Sequence, residues 1–317
     1  MKAKFIYIFS LIFIVIILSA CSVKPISVEQ NNAAANEKKE KETVLNIETT
    51  DKHLYYMVKD LVKEKHLVDF MFTSRDGIYN FQFTDDSIGN ISKKDLFIYS
   101  GAGFETWIAD FQDKLSKSKV GIINGSRGIK LINYEKETKI NDIVIKENPY
   151  YWLNVDNYKA CLSNIKNALQ DKDSKNRDFY EENFSDALKN IEPYEKKAKD
   201  VSGKLGDYTF VVDGEDMDYF TKYLGIKAVK VYNYGVSSKE DTQSQADKLD
   251  KELKDKSKII FLCDNEEKIK ANENIINKYN MQLVNIIVYR DDLKYLDILD
   301  ANLKSLSQLV EKRGISR

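Results

Sequence analysis

The chain has 317 residues, with 49 basic and 50 acidic side chains and a net charge of -1. Charges of both signs are interspersed, so there is neither a basic stripe for nucleic acid nor an acidic tail. Three cysteines far apart in the sequence argue against a disulfide framework, although a single bridge between Cys161 and Cys263 stays open.

Met1 to Ala20 read as an export signal. Lys2 and Lys4 give it a positive start, and Phe5 to Leu18 form an apolar run too short for a comfortable membrane span. Leu18-Ser19-Ala20-Cys21 follows, which is the lipobox pattern of bacterial lipoproteins: small residues suit a peptidase, and the Cys21 thiol takes the lipid. An uncleaved anchor helix is the alternative, and either way the body lies outside the cytoplasm, held at the extracytoplasmic face of the cell membrane. Residues 21–43 hold almost nothing apolar and cannot offset the cost of ordering their backbone, so they read as a lipidated tether. About 270 residues remain, enough for one large domain or two medium ones.

From Val44 onward, short β-rich runs alternate with helical periods, which predicts an α/β fold with mostly parallel sheets flanked by helices. The first half offers strands at Val44 to Glu48, Val68 to Phe72, Leu96 to Tyr99 and Val120 to Ile123. Between them, Leu54, Met57, Val58, Leu61 and Val62 make one apolar stripe, and Phe104, Trp107, Ile108, Phe111 and Leu115 another. Gly101 and Gly103 fall where a strand turns into that second helix. They lack the third glycine of a dinucleotide site.

Ser174 to Lys204 carries apolar residues at helical spacing, with Asp173 or Ser174 as its N-cap and Pro193 expected to bend or divide it. The second half repeats the rhythm. Strands are expected at Thr209 to Val212, Ala228 to Tyr232, Ile259 to Cys263 and Leu283 to Val288, and helices near Met217 to Leu224, Thr242 to Lys254, Lys268 to Tyr279 and Leu296 to Lys312. The organisation read from this is an amino-terminal lobe at 44–172, a connecting helix at 173–205 and a carboxyl-terminal lobe at 206–317.

Two blocks carry a family resemblance: Asp95-Leu96-Phe97-Ile98-Tyr99-Ser100-Gly101-Ala102-Gly103-Phe104-Glu105-Thr106-Trp107, and Asn148-Pro149-Tyr150-Tyr151-Trp152-Leu153-Asn154. They resemble the signature blocks of the zinc- and manganese-type solute-binding lipoproteins of ABC importers. The segment Asn176-Arg177-Asp178-Phe179-Tyr180-Glu181-Glu182-Asn183 is similar to the start of that family's connecting helix. The resemblance implies two α/β lobes, a cleft between them, and delivery of a solute to an ABC permease by a monomer. It also implies where metal ligands would stand. Tyr79 and Tyr150 take the places of the first two histidines, Gly214 that of the third, and Tyr289 or Arg290 that of the last carboxylate, with Cys263 ending a strand that often ends in glutamate.

Zinc and manganese need several imidazoles or carboxylates converging at about 2.0–2.3 Å. Only His53 and His66 occur, neither at a ligand position, and both read as surface or helix-end residues. No metal cofactor is therefore expected, although Asp213, Glu215, Asp216, Cys263 and Asp291 leave relocation open. The tyrosines line an organic-solute cleft or simply pack the lobes together. No catalytic arrangement can be built from these histidines, so an enzyme is not expected. A surface adhesin or interaction protein on the same scaffold is the rival reading.

Overall fold

Apolar central strands buried on both faces, flanked by partly exposed outer strands, build two four-stranded parallel sheets in the computed structural model, which describes residues 43–232 and 239–311. The expected export signal, Cys21 and residues 22–42 lie outside the described residues. In the first half, β1 (Asn46–Asp51) leads to α1 (Lys52–Val62), β2 (Leu67–Phe72), the short α2 (Arg75–Tyr79) and α3 (Asp85–Ile91). Next come β3 (Leu96–Tyr99), α4 (Ile108–Leu115) and β4 (Gly121–Asn124). The strand order is β2-β1-β3-β4, with Ile47 beside both Val68 and Leu96.

An antiparallel hairpin follows, β5 (Asn133–Ile140) and β6 (Ile143–Glu147), turning on Asn141 and Asp142 with φ of 47° and 64°. Asparagine and aspartate tolerate that left-handed geometry best among residues with a side chain. Then come α5 (Val155–Lys172) and the long α6 (Arg177–Ser202). The second half contains β7 (Thr209–Asp213), α7 (Asp218–Tyr223), β8 (Ala228–Val231), α8 (Lys239–Leu253), β9 (Ile259–Cys263), α9 (Glu266–Ala271), α10 (Glu273–Lys278), β10 (Gln282–Asn285) and α11 (Tyr295–Glu311). Its order, β10-β9-β7-β8, repeats the winding of the first sheet. The expected α/β class, two parallel sheets flanked by helices plus one long helix, is what the chain adopts.

That α6, with its 26 residues, is about 39 Å long. It packs on α1 and α5 from the first half and on α11 from the second, and the amide of Asn183 donates to the Leu61 carbonyl at 2.8 Å. Pro193 does not divide it. Asp173 is not its cap either: it ends α5, and its carboxylate accepts from the Tyr180 hydroxyl at 2.6 Å. Tyr180 in turn meets His66, whose Nδ1 accepts the Leu45 N–H at 3.3 Å. His66 is thus fully buried rather than on the surface, and burial lowers its pKa. It ties the start of the first sheet to the root of the long helix.

Other departures have similar causes. Strand β1 runs on to Asp51, beyond the expected Glu48, because its buried polar residues find partners: Thr49 on the Asp69 carbonyl, Thr50 on Glu105, and Glu48 on Lys94. The helix expected from Lys268 to Tyr279 is two short ones broken at Asn272, whose side chain bonds Asp213 and the Lys268 carbonyl instead. One apolar cluster, containing Ile47, Leu54, Trp152, Phe210 and Leu303, extends through both sheets.

Candidate functional site

In doubly wound sheets, ligands bind beyond the carboxyl ends of the strands, where the winding reverses. Here those ends are Asp51 and Ser100 in the first sheet, and Asp213 and Asp264 in the second. Gly101, at φ +78°, makes the first turn; a Cβ there would lie 2.2 Å from the Asn124 side-chain oxygen, so only glycine fits. Glu105 pins this loop from below. Its carboxylate accepts from the Thr50 hydroxyl at 2.6 Å and from the N–H groups of Ser100 and Gly101 at 2.8 and 2.9 Å. Burial pushes its pKa up to about 7. Asp51 accepts from the Ser100 hydroxyl at 2.9 Å and caps α1 through the Leu54 N–H.

The pinned loop presents Phe104, around which aromatic rings gather from both halves. Tyr79, Tyr150 and Tyr289 lie 5.6, 6.3 and 5.6 Å from it, centroid to centroid, and Trp152 lies at 5.2 Å. The Trp152 indole N–H donates to the Val288 carbonyl at 3.2 Å, joining the halves. His53, far from any surface role, is buried against this cluster, stacked on Tyr289 at 4.6 Å. Its Nε2 lies 2.6 Å from the Arg290 carbonyl, which can only accept, so that nitrogen carries the proton and offers no lone pair.

Above Phe104, the Tyr79 and Tyr150 hydroxyls are 3.2 Å apart, and the Arg75 guanidinium donates to Tyr150 at 3.0 Å. Tyr150 is only 4% exposed, and burial raises the pKa of both phenols, so they are neutral at physiological pH. The Tyr289 hydroxyl is buried without a hydrogen-bond partner.

The matching loop of the second half, Asp213 to Asp216, turns on Gly214 at φ +81°, where a Cβ would meet nothing within 4 Å. Glu215 is 3% exposed and accepts the N–H groups of Glu135 and Lys136 at 2.8 and 3.2 Å. Asp216 accepts from the Tyr134 hydroxyl at 3.2 Å and pairs with Lys268 at 3.0 Å. Thus the hairpin is strapped to the second half. Its Asn141 also donates to the Tyr79 carbonyl at 2.8 Å, in the first. Beneath the strap lies a polar cavity of about 570 Å³ lined by Tyr134, Lys136, Gly214, Glu215, Asp216 and Lys268 among others.

The sequence-derived candidates therefore separate. Tyr79 and Tyr150 meet; Asp213, Gly214 and Glu215 border the cavity; Tyr289 joins the aromatic cluster. Cys263 lies beneath the sheet, its thiol on the Val284 carbonyl and pushed up to about 11 by burial. The Arg290 side chain is exposed and pairs with Asp292 at 2.6 Å. Cys161 and Cys263 are both unpaired and buried. Among the described residues no three His, Cys, Asp or Glu side chains converge as a metal-ligand set. Sequence reasoning missed Arg75, Tyr134 and the strap; the Asn141-Asp142 turn pair was the one available signal.

Residues 47–309 match the family model of the zinc-uptake complex component A, periplasmic. The chain belongs to that family. The high-affinity zinc uptake system protein ZnuA of Bacillus subtilis is 24% identical over 193 residues, 59% of this chain and 60% of that one. The match thus spans about three fifths of that relative. The metal ABC transporter substrate-binding lipoprotein ScbA of Streptococcus cristatus is 23% identical, covering 82% of this chain and 81% of its own. A mutant of the laminin-binding adhesin Lmb of Streptococcus agalactiae shares the fold, with a TM-score of 0.66 and 20% identity over 84% of this chain and 99% of that one.

Proposed function

We propose that this chain is an extracytoplasmic solute-binding lipoprotein of an ABC importer, anchored through Cys21, whose cleft takes a small organic solute in place of zinc or manganese. Lobes of residues 44–172 and 206–317, joined by residues 173–205, hold the solute between them and present it, as a monomer, to the permease. The protein is a carrier and not an enzyme. One observation carries the altered ligand: the guanidinium of Arg75 beside the Tyr79 and Tyr150 hydroxyls, where the family resemblance expects two metal histidines. A fixed positive charge repels a divalent cation, and a protonated phenol is a poor ligand for one.

The test is titration of chelator-treated full chain with zinc and manganese, followed by thermal-shift screening against small solutes. Neither metal should raise the melting temperature, and an organic solute should. Tight stoichiometric zinc uptake would overturn the reading, and would direct attention to carboxylates such as Asp213 and Asp216. Loss of solute binding altogether, with attachment to host or envelope proteins, would support the adhesin rival.

A further inference from the structure

We infer that the solute carries a carboxylate, and that Arg75, aided by the hydroxyls of Tyr79, Tyr150 and Tyr289, is the group that receives it. This rests on the organic-solute reading above and narrows it to a chemical class.

Most cationic side chains near the strand ends are paired with carboxylates. Lys268 has two carboxylates, Asp216 and Asp264, within 3.1 Å; Lys230 pairs with Glu135 and Asp218; Arg290 pairs with Asp292. Arg75 differs. Among the described residues no carboxylate lies within ion-pairing distance of it, Asp216 acts on it only from farther away, and its one hydrogen bond goes to a neutral phenol, Tyr150. A guanidinium has five N–H donors in a planar fork, so most of its capacity is unused by side chains. Partial burial with only a distant carboxylate, Asp216, leaves the guanidinium incompletely compensated, and an incoming anion in direct contact removes that cost.

A second, independent observation comes from the other half. The Tyr289 hydroxyl is fully buried and has no partner, which is uncommon for a polar atom in a folded interior. Tyr289, Tyr79 and Tyr150 all pack on Phe104, so the orphan hydroxyl and the guanidinium are held around one ring. The planar fork favours a carboxylate, which it holds in two parallel bonds. The surrounding Phe104 and Trp152 rings favour an organic body behind that carboxylate over a bare inorganic anion.

Calorimetric titration of the full chain in detergent tests this, using acetate, succinate, L-glutamate and phenylacetate, with acetamide, succinamide and phenylacetamide, inorganic phosphate, zinc and ferric ion alongside. At least one carboxylate should bind at a single site, and its amide should bind about tenfold more weakly or worse. Arg75→Gln should weaken the carboxylate by about tenfold or more, and Arg75→Lys should recover only part of the loss. Should Arg75→Gln fail to fold, Tyr289→Phe, which removes only an unpartnered hydroxyl, should still weaken binding while keeping the melting temperature. Equal binding of acid and amide, unaffected by Arg75→Gln, overturns the carboxylate and leaves the organic-solute reading standing. Phosphate binding without any carboxylate, or no binding by any member, also overturns it. Stoichiometric uptake of zinc, or of ferric ion with a visible phenolate band, overturns this inference and the reading beneath it together.

Discussion

Glu105 shows how much a single residue here depends on its surroundings. Its carboxylate is 1% exposed and has donors from Thr50, Ser100 and Gly101, yet burial dominates and raises its pKa from 4.5 to about 7. Between those values the folded chain binds more protons at this site than the unfolded chain. The stability it contributes is therefore complete below the unfolded value and is lost as pH rises through about 7. Urea unfolding of Glu105→Gln and the parent between about pH 5 and pH 8 should diverge, the parent losing up to about 3 kcal/mol more as pH rises. Parallel curves would mean the carboxylate stays ionised throughout. The two thiols offer a simpler check. Burial pushes Cys161 up to about 12 and Cys263 up to about 11, so alkylation of the native protein at neutral pH should label neither in mass spectrometry, and unfolding should expose both.

Among the elements, the hairpin β5–β6 forms one wall of the polar cavity, and a few hydrogen bonds strap it to the rest. Replacing Glu215 by alanine leaves the Glu135 and Lys136 N–H groups without their acceptor, which should cost about 1–3 kcal/mol and open the strap locally. Faster amide exchange and proteolysis confined to residues 133–147 would be the sign of it; global destabilisation with the strap still protected would contradict it. That this element escaped sequence reading has a physical cause. Asn133–Ile140 is largely polar and exposed, so it lacks the continuous apolar run that marks β3, β7 and β9. The same holds for the end of β1, where Thr49, Thr50 and Asp51 are buried only because distant partners satisfy them. At the site, Tyr150 was legible because it sits in a motif block, and Tyr79 through the place the family resemblance gives it. Arg75 was not, since a single arginine at the start of the short α2 acquires meaning only when the fold brings Tyr150 to it across 75 positions.

For the molecule as a whole, the question is whether the two windings behave as independent bodies. Several ties cross between them: Trp152 to Val288, His53 to Arg290, the Tyr219 hydroxyl to Ile132, and the long helix α6 resting on α1 and α11 at once. The apolar cluster is continuous through both sheets. Opening one half would expose core of the other, so the halves should unfold together, and a calorimetric scan of the full chain should show a single transition. Trp152→Phe keeps most of the ring packing and leaves the Val288 carbonyl unpaired, at a cost of about 1–3 kcal/mol. At this size that corresponds to a fall of a few degrees in the midpoint, about 2–4 °C per kcal/mol, still as one peak. Two separated peaks in the parent would show that the ties are too weak to couple the halves. A single peak shows instead that the two windings form one cooperative unit, as the Trp152, His53 and Tyr219 ties and the shared apolar cluster require.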